Sequence, residues 1–344
     1  MFRERSFAVT LFLFFPVGCF AQSEAAVTYL NRALDEMQTR ALRRAAVDWP
    51  RVRAEALARA AHAQTTADTY DAIRFALASL GDHHSSFHLP AAMQKTEPQA
   101  AQTKPASPFT GRYEPEGRLA QFGKKTFAIV VVTKCFPEDD RQFTEYETKL
   151  QGVVAYLDRL RPAAWVVDLR GNVGGNMWPM LAGIGPLLGE GDHLGEFFNT
   201  DGHSLWRYRD GVASEVPDNG KEDRYPAVAG VPYKLAGTPN VAVLIDGGTG
   251  SSGEAIAIAF KGRPKTRFFG AHTQGASTVN DVVGLSDGAA MWLTIGVDAD
   301  RTGKKYIDGF DPDEAIRGRD QVVPDADDPV VQAALRWLGG GPQR

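Results

Sequence analysis

Three short apolar runs do most to limit what this chain can become. Residues 127–132, 164–168 and 241–245 are five or six residues long and rich in valine, with almost no polar interruption. Runs of that length and composition predict strands buried on both faces, as in a parallel sheet. Between the first two, residues 146–160 space their apolar positions as an amphipathic helix. After the third, a glycine-rich turn leads into a predicted helix over 254–260. Residues 267–269 and 290–295 predict further strands, and 330–338 predict a closing helix with Asp328 and Pro329 as its start signals. Buried strands alternating with helices give an α/β core.

Ahead of that core the texture differs. Residues 25–80 are rich in Ala, Arg and Leu, with Leu30, Ala33, Leu34 and Met37 at helical spacing, and a helix through Ala72, Phe75 and Ala76 stops at Gly81. The expected layout is a helical region over 22–90, a Pro- and Gln-containing linker over 91–108, and a catalytic-size α/β domain over 109–344. The first residues read as an export signal, 1–21. Arg3 and Arg5 precede an apolar run from Phe7 to Phe15, Pro16 and Gly18 break it, and Ala21 offers a small residue for cleavage. That run is far short of the ~20 residues of a spanning helix. Cys19 after Val17-Gly18 offers lipid anchoring as the alternative, although Pro16 occupies a position where leucine is usual. If the signal is removed at Ala21, Cys135 is the only cysteine left and no intramolecular disulfide forms. A net charge of -4 with scattered Lys and Arg provides no basic stripe for nucleic acid.

Three stretches carry chemistry. In Asp246-Gly-Gly-Thr-Gly-Ser-Ser-Gly-Glu254 a strand runs through glycines into two serines and a helix, which sets Ser251 or Ser252 at a helix N-terminus where free amides favour negative charge. Acyl transfer needs such a place for its oxyanion, but a plain serine N-cap after a glycine turn gives the same local pattern. No Walker spacing follows, and neither serine is flanked as in the Gly-x-Ser-x-Gly elbow. Asp168-Leu-Arg-Gly-Asn-Val-Gly-Gly-Asn176 lets backbone amides approach a ligand closely. Leu80-Gly-Asp-His-His-Ser-Ser-Phe87 offers His84, in a loop after a helix, as a candidate base, while a surface histidine cluster gives the same pattern. His84 and His88 have a metal-compatible spacing, but no third ligand is patterned near them.

Taken in order, these stretches resemble the tail-specific, or C-terminal processing, serine peptidases, and Ile307-Asp-Gly-Phe-Asp-Pro-Asp313 is similar to that family's closing element. The resemblance runs from about Leu80 to Asp313. It implies a ClpP/crotonase-like core, a peptide or protein substrate and no cofactor or metal. It also implies Ser251 as nucleophile and oxyanion amides from Ser252 and from Gly174 or Gly175. The processing branch places a lysine where this chain has Ala276, so the implied route is tricorn-like, with His84 as base. Its acid position holds Tyr306; Asp308 is the nearest substitute and Asp82 the next. Only 42 residues separate His84 from Phe127, below the ~50-residue floor for a domain, so no PDZ domain is expected between them. A non-catalytic binder of peptides or apolar ligands and a small-substrate esterase are the alternatives on the same fold.

Overall fold

The computed structural model describes residues 22–94, 107–109, 111–200 and 202–340. The expected signal, Cys19 and most of the expected linker lie outside the described residues. Three helices come first: α1 (Glu24–Arg40), α2 (Trp49–Arg59) and α3 (Tyr70–Ala78). A short strand β1 (Ser86–His88) and a single-turn helix α4 (Ala91–Gln94) follow. Next come the antiparallel pair β2 (Glu116–Phe122) and β3 (Lys125–Val131), then α5 (Asp140–Arg159), β4 (Trp165–Asp168) and α6 (Met177–Leu188). Four strands make a meander: β5 (Gly191–Asn199), β6 (Gly202–Arg209), β7 (Val212–Pro217) and β8 (Asp223–Ala227). The chain then forms β9 (Val241–Ile245), α7 (Ser252–Phe260) and β10 (Thr266–Gly270). It closes with β11 (Thr278–Gly284), β12 (Ala290–Asp300), β13 (Lys305–Tyr306), β14 (Glu314–Ala315) and α8 (Pro329–Leu338).

Two sheets result. The first has the order β14-β10-β9-β4-β3-β2 and is parallel except for β2. Successive residues of its strands point to opposite faces. Val130, Val167, Val243 and Ile245 pack under α5, α6 and α7, while Ile129, Val166, Ala242 and Leu244 pack against α8. Burial on both faces is what the three valine-rich runs require. Asp328 caps α8 by accepting the amides of Val330 and Val331, with Pro329 in its first turn.

The second sheet is antiparallel, with the path β1-β12-β5-β6-β7-β8 and with β11 and β13 also paired to β12. Its four-strand meander is absent from the sequence expectations. The signal existed in β6, where Ser204, Trp206 and Tyr208 are buried in alternation with His203, Leu205 and Arg207. Helix α6 was equally hidden, because all twelve of its residues are buried and Pro179, Gly183, Gly185 and Pro186 suppress any helical period. The N-terminal helices pack on β11 and β12 through Val283, Met291, Leu293 and Ile295, and β1 pairs with β12 from Ser86 to His88. The helical region is therefore joined to the sheet through the segment that carries His84.

Candidate active site

The turn after β9 is built to hold one strained residue. Asp246 accepts the amides of Gly171 and Gly248 at 3.0 and 2.9 Å, and the Thr249 hydroxyl bonds the carbonyl of Leu169 at 3.0 Å. Ser251 then adopts φ 50 and ψ -123, outside the regions open to L-residues without strain. Such a backbone costs on the order of 1–3 kcal/mol and persists only where its surroundings enforce it. Glu254 is the enforcer. Its fully buried carboxylate accepts the Ser251 amide at 3.0 Å, the amides of Gly275 and Ala276 at 3.0 and 2.8 Å, and the Thr273 hydroxyl at 2.6 Å. Burial raises its pKa, and these four donors pull it back part of the way. A Ser-x-x-Glu spacing is itself a helix-start signature, so the sequence carries a signal for this role.

The loop after β4 lies against that turn. Asp168, wholly buried, is gripped by Arg170 at 2.8 and 2.9 Å and by Arg112 at 3.0 Å, and Arg170 also reaches Asp328 at 2.7 Å. Although burial works against the charge, the two guanidiniums hold the Asp168 carboxyl far below the usual carboxylate range. Removing one partner of such a buried pair typically costs about 3–5 kcal/mol, so Asp168 and Arg170 are anchors. Two glycines follow at φ 109 and 113. A Cβ on Gly174 would stand 2.8 Å from the Ser251 Cβ, and one on Gly175 would stand 1.9 Å from the Cys135 carbonyl oxygen. Only glycine allows both the dihedral and the approach.

These contacts sort the oxyanion candidates. The Gly174 amide donates to the Asn172 side chain at 3.0 Å. Among the described residues, the amides of Gly175 and Ser252 donate to no acceptor. The Ser252 hydroxyl donates to the Gly175 carbonyl at 2.5 Å, which ties the loop to the start of α7.

His84 sits in the turn between α3 and β1. Asp82 accepts the His84 and Ser85 amides at 3.1 and 2.6 Å and the Ser85 hydroxyl at 2.8 Å, and Asn280 donates to the His84 carbonyl at 3.1 Å. The ring Nδ1 meets the Thr278 hydroxyl at 2.8 Å. Burial pushes the imidazole pKa below its ordinary value and outweighs the opposing pull of Asp82, so the ring is neutral at neutral pH. His84, Thr278, Ser251, Ser252 and Gly175 all line one cleft of about 850 Å³.

Asp308 is not part of this group. Its side chain is 86% exposed and pairs with Arg43 at 3.7 Å, while its carbonyl receives His272 at 2.9 Å. Asp82 spends its oxygens on the turn. The group on the imidazole is Thr278, which no motif pointed to. Nor does a lysine replace Ala276: Lys261 lies beyond the far end of α7, roughly 15 Å of helix from Ser251, with its ammonium over the Phe268 ring at 3.8 Å rather than free in solvent.

The chain matches the model of peptidase family S41 over residues 118–316, a span that includes Ser251 but not His84. It is 27% identical over 285 residues to a nisin-resistance protein of Lactococcus lactis subsp. lactis, covering 81% of this chain and 79% of that protein. Among solved structures, a lipoprotein from Streptococcus agalactiae has a similar fold, with a TM-score of 0.65 at 21% identity over 96% of this chain and 99% of that one. So does a photosystem II D1 C-terminal processing protease, with a TM-score of 0.58 at 16% identity over 86% and 94%.

Proposed function

Since this chain belongs to peptidase family S41 and is a serine-type peptidase, we propose that it cleaves peptide bonds with Ser251 as nucleophile and His84 as general base. The carrying observation is the convergence of Ser251, His84 and the two undonated amides of Gly175 and Ser252 on one cleft. The mechanism uses the tautomer in which Nδ1–H donates to the Thr278 hydroxyl at 2.8 Å; its Nε2 lone pair then takes the Ser251 proton as Oγ attacks the scissile carbonyl carbon. The oxyanion forms against the Gly175 and Ser252 amides, at the N-terminus of α7. His84 then gives its proton to the leaving amine, and water repeats the sequence on the acyl-enzyme. Thr278 does the orienting that an acid does elsewhere. Gly174 serves by its missing side chain, which lets the loop close on Ser251.

The place of action is proposed as the cell envelope or beyond. The Arg-flanked apolar run before Ala21 supports export, and the likeness to a lipoprotein and to a nisin-resistance protein supports the same location. Nisin is accordingly one substrate to assay. We further propose that residues 22–90 and 109–344 act as one catalytic unit without an intervening PDZ domain.

Labelling tests the mechanism. A fluorophosphonate should modify Ser251 alone, and peptide mapping should find loss of hydrolysis in proportion to the modified fraction. Full hydrolysis by completely modified protein, or modification of Ser252 in its place, overturns the assignment.

A further inference from the structure

The part of the cleft walled by β5 and β12 carries acceptors that nothing among the described residues satisfies. Asp298 on β12 is 3% exposed, lines the cleft, and its Oδ1 accepts no hydrogen bond among the described residues. Asn199 on β5 also lines the cleft, and its Oδ1 is likewise buried and unsatisfied. In the β5–β12 register Asp298 lies opposite Phe197 and Gly296 opposite Asn199, so both acceptors and the Phe197 ring occupy one face. Trp178 meets Phe197 edge-on at 6.1 Å and stacks on Tyr225 at 4.4 Å, walling the same space with aromatic rings.

Charge points the same way. Glu138, Glu215, Asp281 and Asp298 all line the cleft, with no Lys or Arg among the described residues lining it. Arg40 pairs with Asp281, but among the described residues no Lys or Arg ion-pairs Glu215 or Asp298. Burial raises the pKa of both carboxyls, and a neighbouring carboxylate adds to it in each case, Glu254 beside Asp298 and Asp223 beside Glu215. A buried acceptor left empty costs about 1–3 kcal/mol, which a multi-donor cation would recover. An apolar occupant would leave Asp298 and Asn199 unsatisfied, and an anion would meet carboxylates. A lysine or arginine side chain fits all three features: its stem would lie along the rings, and its donors would be directed at the buried oxygens once the side chain displaces the cover over them.

We propose that this part of the cleft is a specificity pocket for one basic side chain of the peptide substrate, with Asp298 as the residue that selects it. The inference rests on the peptidase function proposed above, and binding separates the two. The full chain carrying Ser251→Ala is titrated by fluorescence anisotropy with a positional peptide library. At each position Lys is compared with norleucine, and Arg with citrulline. At one position the charged residue should tighten binding about tenfold or more, and Asp298→Asn should reduce that preference to about twofold while norleucine peptides bind as before. Glu215→Gln, farther from a complete loss of fold because its carboxyl already has Ser204 as partner, should reduce the preference partially. Absence of any position where charge matters, or a preference that survives Asp298→Asn, overturns the pocket, and the lysine–norleucine comparison needs no variant at residue 298 to do so. Hydrolysis of the same peptides by the unmodified protein reads the other claim. Basic peptides bound but never cleaved would sink the peptidase mechanism and keep the pocket; cleavage indifferent to charge would do the reverse.

Discussion

The nucleophile side and the base side of this cleft are constructed in different ways. Ser251 belongs to the parallel sheet. Its position follows from a strand, a six-residue turn and a helix contiguous in sequence, braced by Asp246 and Glu254. His84 belongs to the antiparallel sheet and the N-terminal helices. Its position depends on Thr278, Asn280 and the β1–β12 pairing, all about two hundred residues away along the chain. The turn can impose a strained backbone because Glu254 and Asp246 combine local bonds, to the Ser251 and Gly248 amides, with bonds from Gly171, Thr273, Gly275 and Ala276 on neighbouring segments. The histidine loop has its backbone braced from within by Asp82, but its ring is placed by contacts across the sheet.

Four substitutions break or sharpen that contrast. The largest effect is expected from His84→Ala, which should lower kcat by about as many orders of magnitude as Ser251→Ala, since members of one catalytic unit are non-additive. A kinetic assay showing near-full activity without His84 would detach the base side from catalysis altogether. Gly174→Ala comes next. Its Cβ would meet the Ser251 Cβ at 2.8 Å in a backbone at φ 109, and the expected loss is roughly a hundredfold in kcat, with a lowered melting temperature from strain of order 1–3 kcal/mol. An unchanged kcat would mean that the turn is not as tightly coupled to the loop as these distances require.

Thr278→Val tests the long-range side more gently. It keeps the shape and removes the oxygen on Nδ1, so kcat should fall about tenfold, KM should change little, and Thr278→Ser should restore most of the activity. The pH profile belongs to the same test. A histidine whose pKa is depressed is a competent base above that value, and activity is lost as pH falls through it. The acid limb of kcat/KM should therefore lie below ~6.5, the ordinary histidine value. A limb above 6.5 would contradict the buried, neutral imidazole. The smallest effect is expected from Ser252→Ala. The amide survives, but the 2.5 Å tether to the Gly175 carbonyl is lost; a reduction of severalfold in kcat is expected, because one neutral hydrogen bond contributes about 1 kcal/mol. A loss as deep as that of Ser251→Ala would exchange the roles of the two serines.

What was legible in the sequence follows the same division. The runs at 127–132, 164–168 and 241–245, the helix at 330–338 with its Asp328 cap, and the glycine turns around Gly174 and Ser251 all appear where the sequence places them. Each is specified by neighbours within a few residues, through period, capping or the need for positive φ. The family likeness rests on those same local motifs. The meander β5–β8 and the buried helix α6 were not legible, since their character comes from the layer they pack into. So it is with the imidazole's partner. Asp308 sits close to the expected acid position in sequence, yet the hairpin after β12 turns its carboxylate to solvent, while a bulge between Val279 and Asn280 lies beside Thr278 at the start of β11. Local chemistry along the chain determined which strands form and which serine is strained. Only the pairing of β12 with β1, β5 and β11 decided which hydroxyl meets His84 and which carboxyl is left alone in the cleft, because those pairings join segments that no short-range pattern connects.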